Sequence, residues 1–299
     1  MKERRINEST VWQIAAHAVM IIGSLLALLP FVLLVIASFT DNQTALVNGY
    51  TFFPEKWSLE AYEYIGREWA TVGRAYLMTI VVTVVGTVLS LALTSTFAFA
   101  VSNQKLPGHG ILMFMSIFTM LFNGGIVASY YVYSNVFHIK DTIWALIVPN
   151  LLMSPFNVVL VKNYFVNSIS PSLLEAAEID GANVFQIFMK IVMPLSVPIL
   201  ATIGLMSAIT YWNDWTNGLY FLTENKGSHL YTIQLVLNKI NENINFLANN
   251  SELAVKATTV PSTTMRMAIA VVGILPIMIA YPFFQKYFVK GITLGGVKE

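Results

Sequence analysis

Six runs of this chain, residues 9–40, 75–104, 106–139, 142–161, 191–213 and 267–285, contain no Asp, Glu, Lys or Arg. Each is at least 19 residues long, and a helix that crosses bilayer hydrocarbon needs about 20 mainly apolar residues. Lipid offers the backbone no hydrogen-bond partner, so a segment crossing it must close its bonds internally, as a helix does. The pattern predicts an all-α polytopic bundle of six transmembrane helices, near 12–38, 75–101, 109–129, 142–162, 191–213 and 267–286. Charged residues make up 11% of the 299, against about 25% in soluble domains. A net charge of +1 provides no footprint for nucleic acid. The lack of cysteine excludes disulfides, thiolate metal sites and cysteine nucleophiles. The apolar run after Lys2, Arg4 and Arg5 is too long for a signal-peptide core and reads as an uncleaved first span.

Six crossings put both termini on one side. With that side taken as cytoplasmic, the inside segments hold nine basic and six acidic residues, and the outside segments eight and ten. The outside segments are much longer, and the bias of Lys and Arg toward the cytoplasm is read on short loops. Both termini are therefore expected inside. One domain covers 1–299, with external loops at 41–74 and 218–265, a cytoplasmic elbow at 170–190 and a cytoplasmic tail at 287–299. In the first loop Ser58 to Ile65 reads as a short amphipathic helix, with Trp57 and Trp69 suited to the interface. In the second, Tyr231 to Ile240 reads as a surface helix, and Asn249 to Pro261 is too polar for lipid.

The elbow is a polar island between spans. Ser172-x-x-Glu175 is a capping box, and Ser170 followed by Pro171 is a competing helix start two residues earlier. Ala176 and Ala177 favour the helix. Asp180-Gly181 ends it, because glycine takes the left-handed position after a helix without strain. Asn183-x-x-Gln186 is a second capping box that opens a helix carrying Phe185 and Phe188. Capping chemistry alone supports nothing beyond a structured loop.

Glu175-Ala-Ala, Gly181, Ile191 and Pro194 together resemble the "EAA" signature of the membrane subunits of ATP-binding-cassette importers. Across essentially the whole chain the similarity is to the carbohydrate, maltose-type branch. Met193 stands where that signature usually has leucine, and Pro171 falls one place late. The resemblance implies a type I importer permease in a bacterial or archaeal cell membrane. It implies four kinds of partner: a homologous sister permease, a cytoplasmic ATPase dimer, an extracellular solute-binding protein and membrane lipid. ATP and Mg would belong to the ATPase. It also makes the elbow the coupling helix. Glu175 would contact the ATPase by a charge-assisted hydrogen bond worth about 1.5–3 kcal/mol, Gly181 would permit the bend, and Phe185 and Phe188 would fill the cleft. Ala176, Ala177, Asp180 and Ala182 complete the surface. The external loop 218–265 would reach the solute-binding protein, with a disordered linker as the alternative, and the basic-aromatic ending from Phe284 to Gly291 would lie near the ATPase.

For the solute path the candidates are Asn123, Asn150 and Asn157 at membrane depth, and Tyr211, Trp212, Asn213, Asp214 and Trp215 at the end of span five. Aromatic faces and amides suit sugar rings. Helix packing explains the first set equally well, and an interfacial aromatic belt the second. The chain has no G-x-x-x-x-G-K-[ST] loop for ATP, no metal-type spacing among its four histidines, and no charge inside the predicted spans of the kind ion-coupled carriers use. No enzyme activity is expected. Oligosaccharides are the expected cargo. Another small polar solute such as a peptide is the alternative, and an ion-coupled secondary carrier or an intramembrane enzyme would need features the sequence lacks.

Overall fold

The computed structural model describes residues 8–67, 69–249 and 262–294. Among the described residues regular structure is helical, and an isolated antiparallel bridge joins Thr40 to Trp57. Among the described residues two helices are long and apolar enough to cross a membrane unbroken, Trp12–Ser38 and Trp69–Ser102. Two further pairs qualify only when each is taken as one bent span. The chain bends by 120° between His109–Leu121 and Gly125–Val136, and by 80° between Val184–Leu195 and Val197–Asn213.

The breaks have local causes. At the first, Gly125 takes a left-handed φ of +79°, and the Asn123 side chain accepts its backbone N–H at 2.8 Å. At the second, Ser196 stands between Pro194 and Pro198; proline lacks the N–H that would continue the ladder to the carbonyl four residues back. Expected span 142–162 divides into a short helix Trp144–Ile147, a non-helical passage through Pro149 and Asn150, and a helix Pro155–Ser168. Asn150 there has φ +60°. The last expected span lies within the helix Ser262–Leu294, which carries Pro276 and Pro282. Two segments, Val132–Val136 and Phe188–Val192, wind as π-helix, the form that accommodates one extra residue in a helical turn.

The chain clusters into two compact units, residues 1–69 with 240–275, and residues 70–239 with 276–299. In the first, the long helix Glu8–Ser38 is apolar on every side, so it has no solvent face; no residue of its apolar 18-residue window is buried, whereas Ala37 and Ser38 at its end are. Beyond Ser38 the chain turns sharply. Phe39 stacks on Tyr62 with ring centroids 4.8 Å apart, and the Tyr62 and Ser38 hydroxyls lie 2.7 Å apart. The Asp41 carboxylate caps the helix Asn42–Asn48 through Thr44. It also accepts from Lys56 at 3.1 Å, which holds its carboxyl below the usual range. The Asn42 side chain accepts the Thr263 N–H at 3.1 Å, and the Tyr50 hydroxyl donates to the Thr263 carbonyl at 3.4 Å. The end of the first helix and the start of the last are thereby tied together.

Among the described residues of the second unit, two cores stand out. One gathers Ala98, Val101, Val158, Val161, Phe165 and Ile169 around Phe188. The other gathers Val82, Leu146, Ile147, Leu222 and Leu235 around Tyr211. The polar stretch expected at Asn249 to Pro261 lies, past Asn249, outside the described residues, as do residues 295–299 of the tail.

Candidate functional site

The elbow begins two residues earlier than its capping box suggests. Its first helix is Pro171–Ile179 with Ser170 at the N-cap and proline in the first turn. The Ser170 hydroxyl pairs with that of Ser172 at 2.7 Å instead of capping the helix. The helix closes on a complete Schellman motif: Ala182 N–H donates to the Ala177 carbonyl at 2.9 Å and Gly181 N–H to Glu178 at 3.0 Å, with Gly181 at φ +84°. This conformation is what glycine provides at no steric cost. Two residues on, Asn183 and Gln186 each accept the other's backbone N–H at 2.9 Å. These paired bonds satisfy donors that open the helix Val184–Ile187. Two short arms are thus fixed at a defined angle by local bonds.

The elbow divides into an anchored face and a free face. Leu174, Ala177 and Ala182 pack on the core around Phe188, and Ile187 lies within it. Phe188 itself is 7% exposed, with its ring centroid 5.1 Å from that of Phe99. The expectation that Phe188 fills a partner's cleft therefore does not hold for this conformation. The π-turn beginning at Phe188 changes the helical phase, and the ring serves the protein's own core. Phe185, 70% exposed, points outward. Glu175, Ala176, Glu178, Asp180 and Gly181 of the elbow are exposed too, as are Ile179 at 86% and Val184. Ile179 and Val184 were missed from sequence because neither lies in a motif. Between the elbow and the turn after the helix Trp69–Ser102 is a cavity of about 400 Å³, bordered by Phe99, Lys105, Glu175, Glu178 and Val184.

The solute-path candidates scatter. Tyr211 is 1% exposed, and its hydroxyl donates to the Ile147 carbonyl at 2.9 Å. Gly86 makes room for the ring, since a Cβ there would stand 2.6 Å from it. The side chain of Asn217 donates to the Pro149 carbonyl at 2.9 Å. Tyr211 and Asn217 thus hold the irregular passage 147–150, satisfying carbonyls that no helix pairs. Asn157 is buried in the first turn of Pro155–Ser168, while Asn123, Asn150 and Asn213 are exposed. Trp215 is exposed as well, whereas Trp212 is buried and borders an apolar cavity of about 350 Å³ with Thr83, Thr87, Leu205 and Pro276. Asp214 accepts the backbone N–H groups of Thr216 and Asn217. Desolvation by burial outweighs those bonds and pushes its carboxyl up to about 6.

Outside these candidates, Asp141 accepts from the backbone and hydroxyl of Thr223. Lys239 donates to Glu224 at 3.0 Å and to Tyr231 at 2.7 Å. Among the described residues no group of three or more His, Cys, Asp or Glu side chains is placed to hold a metal ion.

Residues 12–294 match the family described as binding-protein-dependent transport system inner membrane component. One relative, the polygalacturonan/rhamnogalacturonan transport system permease protein YtcP of Bacillus subtilis (strain 168), is 35% identical over 97% of this chain and 99% of its own length. The protein LplC of the same organism is 33% identical over 91% of this chain and 90% of its own. An arabinooligosaccharides transport system permease protein, AraQ of Halalkalibacterium halodurans, is 27% identical over 91% and 92%. The fold matches, with a TM-score of 0.77 and 30% identity, a crystal structure of a bacterial ABC transporter involved in the import of the acidic polysaccharide alginate. The match covers 96% of this chain and 99% of that one.

Proposed function

The chain belongs to the family of binding-protein-dependent transport system inner membrane components, and from that membership we propose that it forms half of the translocation path of an importer for oligosaccharides, uronate-containing oligomers first among them. It is a membrane permease subunit and not an enzyme; ATP hydrolysis belongs to a separate subunit. The cargo proposal draws on two relatives at 30% identity or more, one named for polygalacturonan and rhamnogalacturonan and one for alginate. The arabinooligosaccharide relative is less similar and makes neutral oligosaccharides the second reading. The partners in this reading are a homologous sister permease, an ATPase dimer and an extracellular solute-binding protein. In this reading the chain makes six passes, and both termini lie in the cytoplasm.

The observation that carries the coupling proposal is the free face of the elbow. Carboxylates (Glu175, Glu178) and apolar groups (Ile179, Val184, Phe185) are exposed on an elbow whose turn is held by its own backbone and capping bonds. An isolated loop gains nothing from exposing such groups, whereas a docked one buries them at about 25 cal/mol per Å² of apolar surface. In this proposal Glu175 and Phe185 contact the ATPase, Ala176, Asp180 and Ala182 shape the surface, and Gly181 sets the angle. Phe188 acts from behind, bracing the second arm.

The test is uptake of radiolabelled galacturonate oligomers by proteoliposomes holding the co-purified complex, against neutral arabino-oligosaccharides and peptides. Galacturonate oligomers are expected to be imported with ATP hydrolysis. Gly181→Val should leave the complex assembled and abolish uptake, because a β-branched residue at φ +84° is strained although space surrounds it. Gly181→Asn, which tolerates that conformation, should restore much of it. Normal transport by Gly181→Val would refute the coupling assignment.

A further inference from the structure

The cavity of about 400 Å³ between the elbow and the turn after the helix Trp69–Ser102 has an apolar floor and charged sides. Phe165, Ile169 and Ile187 line it and are each at most 5% exposed. On the elbow, Pro171, Leu174, Glu175 and Glu178 border it, the spacing of one helical face, so both carboxylates meet the same space. The other side is the turn, which brings Lys105. That turn is fixed to the helix end by Asn103, whose carbonyl accepts the Leu106 N–H at 3.0 Å and whose side chain accepts the Lys105 N–H at 2.9 Å. Among the described residues no ion pair joins Lys105 to either glutamate.

We propose that Lys105 and Glu178 are the two halves of a clasp, open in this structure, which closes when the ATPase drives the elbow toward the helix Trp69–Ser102 and so passes the elbow's movement to that helix. The elbow already meets this helix at its base, where the rings of Phe188 and Phe99 lie 5.1 Å apart, and Phe99 also borders the cavity. A push on the elbow therefore turns it about a packed apolar joint. Protein interiors leave few voids larger than a water molecule, so a cavity of this size beside the joint is room to move. An ion pair open to water contributes little, and nothing else holds the clasp shut in the open state. Closure removes water from between the charges, and the attraction strengthens as the effective dielectric falls. Lysine's compact charge on a flexible stem suits a contact that forms and breaks. Glu175 belongs to the ATPase contact in the reading above, which leaves Glu178 as the second carboxylate on the cavity. The inference rests on the elbow being the coupling element; normal transport by Gly181→Val would remove that premise, whereas the experiments that follow test the clasp itself.

The chain has no cysteine, so Lys105→Cys combined with Glu178→Cys gives a pair unique within it. The complete complex in proteoliposomes is treated with a short bismaleimide, once without nucleotide and once after trapping with ATP and vanadate, and the bridged peptide is measured by mass spectrometry. The clasp predicts severalfold more bridging in the trapped complex, whatever the cargo. Equal yields, or more bridging without nucleotide, overturn it. The charges are tested separately in co-purified complexes. Lys105→Glu and Glu178→Lys should each lower ATP-driven uptake of galacturonate oligomers severalfold, and the two together should restore it. Normal uptake by both single variants, or no restoration by the pair, overturns the clasp. Restoration of Lys105→Glu by Glu175→Lys instead overturns the choice of Glu178.

Discussion

Asp214 shows how one side chain can do a different job from the one its composition suggests. Its oxygens cap the turn that opens the helix Thr216–Phe221, while burial raises its carboxyl to about 6. The folded chain then holds a proton up to about pH 6 and the unfolded chain only to about 3.9. Between those values the native state binds more protons, so this group's contribution to stability declines as pH rises through the window and is constant above it. Asp214→Asn keeps an oxygen for the cap and removes the charge. Melting curves of the detergent-solubilised protein should show the variant gaining on wild type from pH 4.5 to 7, with no further change to pH 8. A constant difference across that range would contradict the assignment. Of the solute-path candidates, the aromatics and amides were legible as a cluster at the end of span five. That Tyr211 and Asn217 would hold the carbonyls of Ile147 and Pro149 was not. Those partners lie 64 and 68 residues away in sequence, and no local pattern encodes a tertiary bond.

At the scale of elements, short-range chemistry was readable and phase was not. The box of Asn183 and Gln186 and the stop at Gly181 follow from residue types at fixed spacings, and the structure forms both. The competition between Ser170 and Ser172 was visible as a choice; proline at the first helical position decided it. The inward turn of Phe188 depends on a π-turn that no spacing rule announces. Asn183→Ala removes the cap and should cost about 1 kcal/mol locally. In hydrogen exchange this appears as roughly fivefold faster exchange at residues 186–188, restored by Asn183→Ser. Unchanged exchange would show that packing of Ile187 and Phe188 holds the arm unaided.

For the whole molecule, the uncharged runs marked an all-helical chain, with two unbroken apolar helices long enough to cross a membrane among the described residues. The expected spans three, four and five are interrupted, because asparagine, glycine and proline within them favour breaks that burial against other helices can tolerate. The bonds joining Asn42 and Tyr50 to Thr263 bring the exit of the first helix beside the entry of the last. If each helix crosses the membrane, the two termini share a side. Cysteines at Ser9 and Thr293 should accordingly react with an impermeant maleimide only after sealed cells are opened, whereas one at Phe53 or Asn225 reacts from outside. Labelling of positions 9 and 293 from opposite faces would require an odd number of crossings.

The winding at Phe188–Val192 carries a further consequence. One residue fewer there would close an ordinary α-helical turn and leave everything downstream to the bend at Ser196 close to its present orientation, because the π-turn absorbs one extra residue. The same deletion within the regular helix Val197–Asn213 would instead swing the residues beyond it by roughly 100°. The chain therefore tolerates loss of a codon at the π-turn better than in the helix that follows.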